Sequence, residues 1–572
     1  MEYHVNFHNL ANIKLPLTSE TEVGRRGFQD IVILDVKYNL LGCEIDYIIH
    51  SKKYLAEMMN KRKTLFYRWG ILDTSTLVKI DNLDLDSCSL ITRNTDSYED
   101  ITGRLAELAP MIYNLILQSF AAPVAFSGKL TFDTNSRRVN DMLEAVHANT
   151  PLAREIMNSF FKVANIERNN MRYAMGATSQ GYFEPLQNVQ SGLSGLIGDF
   201  NAEYELDWRI EDIYNADELP QGLLKDELSG QLSQDSTVAV NCSFGKESLF
   251  TYEFMSRFNE KFPHISIFQH VVDQKAAGQY QSTYLKKVFT DLYYNHLPGQ
   301  EEYRQIFICQ SNFLPSLLEP ICDVRLGAPI CMLTHVFSQA QLLNIDLNQP
   351  AGTNIQMLLS GDEYERSISK EVQMTSTSTS TIHTYDYEQS PDIANTISNL
   401  STHFGLPKFG SIMYPITGYQ AQMVLDNVFS YSGLQTSCHA SHVHNGGNCG
   451  KCQKCLRIGT VKALVGNPNN LDYKLTGEQI DSTVSWTSSD FFVTSMPADQ
   501  DKYLSTVHEA FKQISIGKDY TISDTVAPAD FVSDSLNLLA ETPTHPHVLD
   551  VAGVEVLKVY LDQAVAKVLK MD

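Results

Sequence analysis

From Thr237 onward the chain alternates short apolar, β-prone runs with stretches of helical spacing, and this alternation constrains the fold more than any other feature. Thr237-Val-Ala-Val-Asn-Cys242 predicts a strand, Ser243 to Glu247 a glycine-containing loop and Ser248 to Phe258 a helix. Ile265 to Val272, Gln305 to Cys309 and Ile355 to Leu359 predict further strands, with helices over Tyr280 to Tyr294 and Ile330 to Leu343. Strands separated by helices of ten or more residues are joined by crossovers, which implies an α/β fold with a parallel sheet. Ligands bind such sheets beyond the C-terminal ends of the strands. The loop after Cys242 stands at one of those ends.

The 572 residues are enough for three or four folding units at roughly one per 150 residues. Residues 1–225 read as an accessory α+β region, with strand-like alternation at Asp30 to Val36 and helical spacing at Ile101 to Phe120 and Asn140 to Val163. They carry no motif that converts into chemistry. Asn201 to Asp235 turns acidic and polar, and Leu219-Pro220-Gln221-Gly222 is a turn signal, which puts the boundary of a catalytic unit at 226–484. Residues 485–572 read as a mainly helical C-terminal region whose helix, Val554 to Leu569, packs against a neighbouring domain or subunit. Thr375-Ser-Thr-Ser-Thr-Ser-Thr381 has nothing to bury and reads as a mobile loop.

Charge narrows the partners. Lys and Arg number 44 against 67 Asp and Glu, a net charge of −23 that opposes broad binding of phosphate backbones and leaves room only for a local basic pocket. No apolar run approaches the roughly 18 residues that span a bilayer, and Met-Glu-Tyr-His-Val-Asn-Phe-His lacks the pattern of a signal peptide. Six of the ten cysteines are scattered, as small core hydrophobes are, and four crowd between 438 and 455. A reducing cytoplasm, with no membrane partner, is the expected setting.

Two motifs carry chemistry. In Ser243-Phe-Gly-Lys-Glu-Ser248, between strand and helix, successive backbone N–H groups and the helix dipole face one point, with Lys246 adding charge and Ser243 and Ser248 adding hydroxyls. Phosphate is the natural ligand, although a plain strand-turn-helix connection has the same outline. The loop is not a Walker A sequence, because Glu247 follows the lysine. In the second motif, Cys438, Cys449, Cys452 and Cys455 supply four thiols in eighteen residues, the set that a structural Zn²⁺ takes and that leaves no open position for substrate. An iron–sulfur cluster is the competing occupant. His439, His442 and His444 lie in the same loop and could replace a thiol.

The first motif resembles the Ser-Gly-Gly-x-Asp-Ser signature of the PP-loop ATP pyrophosphatases, with Phe244 in place of a glycine and Glu247 in place of the aspartate. Together with Cys449 to Arg457 it resembles the 7-cyano-7-deazaguanine synthases (QueC), a likeness that covers about 235–475. Ile355-Gln-Met-Leu-Leu-Ser-Gly-Asp-Glu363 is similar to that family's strand beside the substrate, which makes Gly361, Asp362 and Glu363 pocket candidates. The resemblance implies an adenine nucleotide alpha hydrolase-like PP-loop domain with a four-cysteine zinc site. It implies ATP bound by Ser243, Phe244, Gly245, Lys246, Glu247 and Ser248, with Lys246, Glu247 and Ser248 catalytic and Glu247 helping to hold Mg²⁺. ATP would adenylate a 7-carboxy-7-deazaguanine-like carboxylate, pyrophosphate would leave, and an amine would attack to give an amide conjugate or, with ammonia and a second adenylation, a nitrile. QueC-like proteins with added regions occur in antiphage defence operons of the CBASS and Qat types, which suggests a protein acceptor from the same operon. A tRNA-thiolating PP-loop enzyme and a catalytically degenerate nucleotide-binding partner protein are the alternatives.

Overall fold

The computed structural model of the chain describes residues 28–39, 42–51, 62–72, 90–91, 119, 129–133, 135–148, 232–242, 245–259, 264–270, 306–311, 355–363, 369–375, 378–383, 391, 394–395, 398, 407–435, 458, 462 and 548–568. The strands in chain order are β1 (Phe28–Asn39), β2 (Gly42–Ser51), β3 (Lys63–Leu72), β4 (Leu90–Ile91), β5 (Lys129–Phe132), β6 (Val238–Asn241), β7 (His264–His270), β8 (Ile306–Ser311), β9 (Met357–Ser360), β10 (Ser369–Thr375), β11 (Ser378–His383) and β12 (Lys408–Ser411). The helices are α1 (Arg137–Ala148), α2 (Lys246–Phe258), α3 (Gly418–Asn427) and α4 (Val551–Val568), with a 3-10 turn at Tyr431–Leu434.

One sheet runs in the order β12-β9-β6-β7-β8-β3-β2-β1-β5, with β4 added to β3. From β12 to β8 every pair is parallel. Numbered by appearance, these five strands lie 3-2-1-4-5, the order of a doubly wound sheet, and the winding reverses between β6 and β9. Their sequences suit that place. Val238, Ala239 and Val240 are all buried, as are Met357, Leu358, Leu359 and Ser360, which is the unbroken burial of strands covered on both faces.

Beyond β8 the sheet changes character. β3 pairs antiparallel with β8, bringing Trp69 opposite Cys309, and β1 to β3 form an antiparallel meander. Here burial alternates, with Cys43, Ile45, Tyr47 and Ile49 inside and Glu44 exposed, as in a sheet with one core face. An irregularity between Ile33 and Asp35 shifts the phase of β1, so that Val36 is buried while Asp35 turns to Arg138 of α1. The N-terminal strands and the parallel strands therefore share a single sheet.

Helix α2 is buried almost all round, with Leu249, Phe250, Tyr252, Phe254 and Met255 fully enclosed. It packs on β6, β9 and α3, and α4 in turn packs on α3. Tyr560 of α4 meets Phe254 and Phe429 edge-on, and the Arg257 guanidinium lies 4.9 Å from the Phe429 ring centre. A parallel bridge between Leu232 and Leu549 ties the segment before β6 to the segment before α4: Leu232 N donates to Val548 O at 2.6 Å and Asp550 N donates to Leu232 O at 3.1 Å.

The Ser/Thr run is not a loop. Ser369–Thr375 and Ser378–His383 pair antiparallel as a separate two-stranded sheet, with Glu371 opposite Thr381. Low complexity signals disorder only where the residues also lack strand propensity, and alternating β-branched threonines favour an extended chain. The helices expected at Tyr280 to Tyr294 and Ile330 to Leu343, most of Ile101 to Phe120 and the boundary near 225 lie outside the described residues. Among the described residues no helix is long and apolar enough to cross a membrane.

Candidate functional site

Strand β6 ends at Asn241, and α2 begins five residues later at Lys246. Gly245 is extended, with φ −71° and ψ 169°, and turns the chain from strand direction into the helix. Glu247 in the first turn complements the helix dipole, and the Ser248 hydroxyl donates to Gly245 O at 3.1 Å. Ser243 and Phe244 lie outside the described residues.

Lys246 is buried, and three oxygens from three parts of the chain surround its ammonium. Nζ is ion-paired with Glu363, donates to Gly418 O at 3.0 Å and lies 3.4 Å from Glu247 Oε1. Glu363 follows the C-terminal end of β9, and Gly418 is the first residue of α3. Candidates separated by more than a hundred positions in sequence thus meet where the sheet reverses its winding. The N-termini of α2 and α3 converge on the same ammonium.

Two glycines permit this convergence. A Cβ on Gly361 would lie 2.5 Å from Glu247 Cβ and 3.0 Å from the Glu247 carbonyl carbon, so the end of β9 can touch the head of α2 only without a side chain. A Cβ on Gly418 would lie 2.6 Å from Lys246 Nζ and within 2.9 Å of both Glu363 oxygens. The backbone between these points is pinned. Thr251 Oγ1 donates to Glu247 O at 3.0 Å and reaches Ser360 O at 3.5 Å, Ser411 Oγ donates to Asp362 O at 2.7 Å, and the Ser360 hydroxyl donates to the Asp362 carboxylate.

Of the residues expected from sequence, Gly245, Lys246, Glu247, Ser248, Gly361, Asp362 and Glu363 form one cluster, and Asp362 and Glu363 are buried. Gly418 was not expected. Its signal is Thr417-Gly-Tyr-Gln420, which forms a capping box: Gln420 N donates to Thr417 Oγ1 at 3.2 Å and Thr417 N donates to Gln420 Oε1 at 2.8 Å. At the end of β6, Asn241 Oδ1 is buried without a hydrogen-bond partner among the described residues, so a ligand's N–H would satisfy it.

Cys438, Cys449, Cys452 and Cys455 lie outside the described residues. Just after them in the chain, the buried Lys462 Nζ comes within 3.4 Å of Asp426 Oδ1 on α3. Burial raises the Asp426 pKa, and Lys462 and Gln422 only partly offset it. Of the scattered cysteines, Cys43 and Cys242 are buried, and burial pushes the Cys43 thiol far above its ordinary range.

Compared with protein-family models, with curated proteins and with solved structures, the chain matches none.

Proposed function

We propose that the chain is an ATP-dependent, adenylate-forming C–N ligase of PP-loop type that activates a 7-deazaguanine carboxylate and passes it to an amine. One observation carries the reading: Lys246 and Glu247 at the head of α2 meet Glu363 and Gly361 just past the end of β9, at the reversal point of a 3-2-1-4-5 parallel sheet. Fold order alone fixes no chemistry; the residues do. A buried ammonium beside two helix N-termini suits a phosphate oxygen.

Among the described residues two carboxylates, Glu363 and Glu247, face the one ammonium, and Asp362 is next to Glu363 in the chain, which makes the cluster net negative. Such a site takes a triphosphate best as its magnesium complex. Glu247, Asp362 and Glu363 are hard oxygen donors of the kind that Mg²⁺ prefers, and they are the residues that would hold it. When bound, the metal supplies charge neutralisation on the phosphates. Lys246 holds the leaving pyrophosphate as its charge builds, and the close contact of Gly361 with Glu247 keeps lysine and carboxylates in register. The carboxylate oxygen of the substrate bonds to the α-phosphorus and the bond to the β-phosphate's bridging oxygen breaks. An amine then attacks the acyl carbon, AMP leaves and the amine loses a proton.

The four cysteines at 438–455 are the ligand set for a structural Zn²⁺ in this reading, and the setting is the cytoplasm, in antiphage defence. Incubation with ATP, Mg²⁺ and 7-carboxy-7-deazaguanine releases pyrophosphate, and Lys246→Ala abolishes the release. No pyrophosphate with any deazapurine carboxylate overturns the proposal. Mass spectrometry of candidate acceptor proteins then separates amide conjugation from nitrile formation.

A further inference from the structure

An ammonium has three N–H donors. Among the described residues at least three oxygens already surround that of Lys246: Glu363, Gly418 O and Glu247 Oε1. A phosphate oxygen can reach Nζ only by displacing one of them. Gly418 O belongs to the first turn of α3, whose start is fixed by the Thr417–Gln420 capping box. Glu247 Oε1, at 3.4 Å and partly exposed, is only loosely held to Nζ, so it does not fill the close position that a phosphate oxygen would take. Glu363 is the remaining candidate. The backbone before it is anchored at Ser360 and Asp362, but its own contact with Nζ is made at the end of a flexible side chain.

Resting on the proposed nucleotide site, we infer that Glu363 is an internal stand-in for phosphate: its carboxylate occupies the place on Lys246 that a nucleotide oxygen takes, and must swing away for ATP to bind. The missing side chain at Gly418 makes room for this resting pair, since a Cβ there would crowd both Glu363 oxygens and Nζ. A buried ammonium needs an anion at all times, and Glu363 supplies it when no nucleotide is present. On exchange the displaced carboxylate has the nucleotide's Mg²⁺ as its new partner. Glu363 is thus a positioning residue that couples ATP binding to the metal and disfavours metal-free ATP.

Calorimetric titration of the full chain with ATP, in EDTA and again in Mg²⁺, tests this. The wild-type protein binds the magnesium complex and takes metal-free ATP weakly. Glu363→Gln binds metal-free ATP about tenfold more tightly, the gain expected when a resting pair that holds about nine-tenths of the molecules is removed. Its affinity then depends less on Mg²⁺. Glu363→Asp, which keeps a charge for Lys246 but shortens the reach, moves in the same direction and serves if the Gln variant does not fold. Metal-free affinity equal to or weaker than wild type in these variants overturns the inference while leaving the nucleotide site standing. An equal gain from Asp362→Asn also overturns it, because the effect would then be general charge removal. If the wild-type chain binds neither form of ATP, the functional reading and the inference fall together.

Discussion

The two halves of the sheet solve the same problem of burying a strand in opposite ways. In the parallel half, β6 and β9 are apolar up to their last residues, Asn241 and Ser360, and charges gather just beyond the strand ends, where Lys246, Asp362 and Glu363 are all buried. In the antiparallel half the core residues alternate with exposed ones, and the ion pairs, Asp46 with Arg62 and Asp35 with Arg138, keep their guanidinium partners largely in solvent. Charge in the first half is buried on both sides of the pair, where desolvation makes it costly and chemically strong; in the second half Asp46 is buried too, but each pair ends in a solvent-facing guanidinium. This contrast locates the site without reference to any relative.

The largest break should come at the lysine. Lys246→Met leaves the Glu363 carboxylate buried without its ammonium and should cost about 3–5 kcal/mol in urea unfolding. Replacing Glu363 by Leu in the same chain should return much of that stability but not nucleotide binding. A core truncation in the other half, Ile45→Ala, should cost about 2–5 kcal/mol. ATP affinity of the folded fraction should stay as in wild type, so a change there would erase the division between the halves. Gly361→Ala should cost about 1–3 kcal/mol through forced displacement of Glu247 and should weaken ATP binding along with stability.

The pH dependence should run in opposite directions in the two regions. Burial opposes ionisation of Asp35, but hydrogen bonds from Arg138, Val36 and Ser136 outweigh it and hold its pKa below the usual value. At Asp46, burial is likewise overcome, by Thr64 and Arg62. Stability from these two groups is present above the unfolded value of about 3.9 and is lost as pH falls through their lower folded values. Asp426 on α3 is raised by burial, so its contribution is present in acid and is lost as pH rises through its folded value. Carboxyl NMR titration should find Asp35 and Asp46 below the ordinary value and Asp426 above it. Arg138→Gln should have the smallest effect, bringing Asp35 back toward its ordinary value with a slight shift in urea midpoint.

Local patterns in sequence made much of the parallel half legible. The strands expected at Thr237 to Cys242, Ile265 to Val272, Gln305 to Cys309 and Ile355 to Leu359 correspond to β6, β7, β8 and β9 within one or two residues at each end. Continuous apolar runs were sufficient, helped by Gly245 after β6 and Gly361 after β9. The Ser/Thr run was misread because composition was weighed ahead of strand propensity. The junction between β3 and β8 left no mark, since strand pairing across about 240 positions depends on edge exposure rather than on local pattern. At the site, the loop and the Gly361-Asp362-Glu363 segment were visible as motifs, whereas the pairing of Lys246 with Glu363 and Gly418 is a tertiary fact. The cap that starts α3 was readable at Thr417 and Gln420.

The bridge between Leu232 and Leu549 joins residues about three hundred positions apart. The entropy of closing so long a loop grows only slowly with its length, so the clasp is affordable at equilibrium. Time is the stricter constraint. During synthesis the segment before β6 emerges long before its partner, and α3 waits for α4 in the same way, so neither the bridge nor the α3–α4 packing can form until the chain has been made past Leu549 and through α4. An arrested chain that stops short of Leu549 would carry Lys246, Asp362 and Glu363 in its sequence and still lack both the bridge to Leu232 and the packing of α4 on α3.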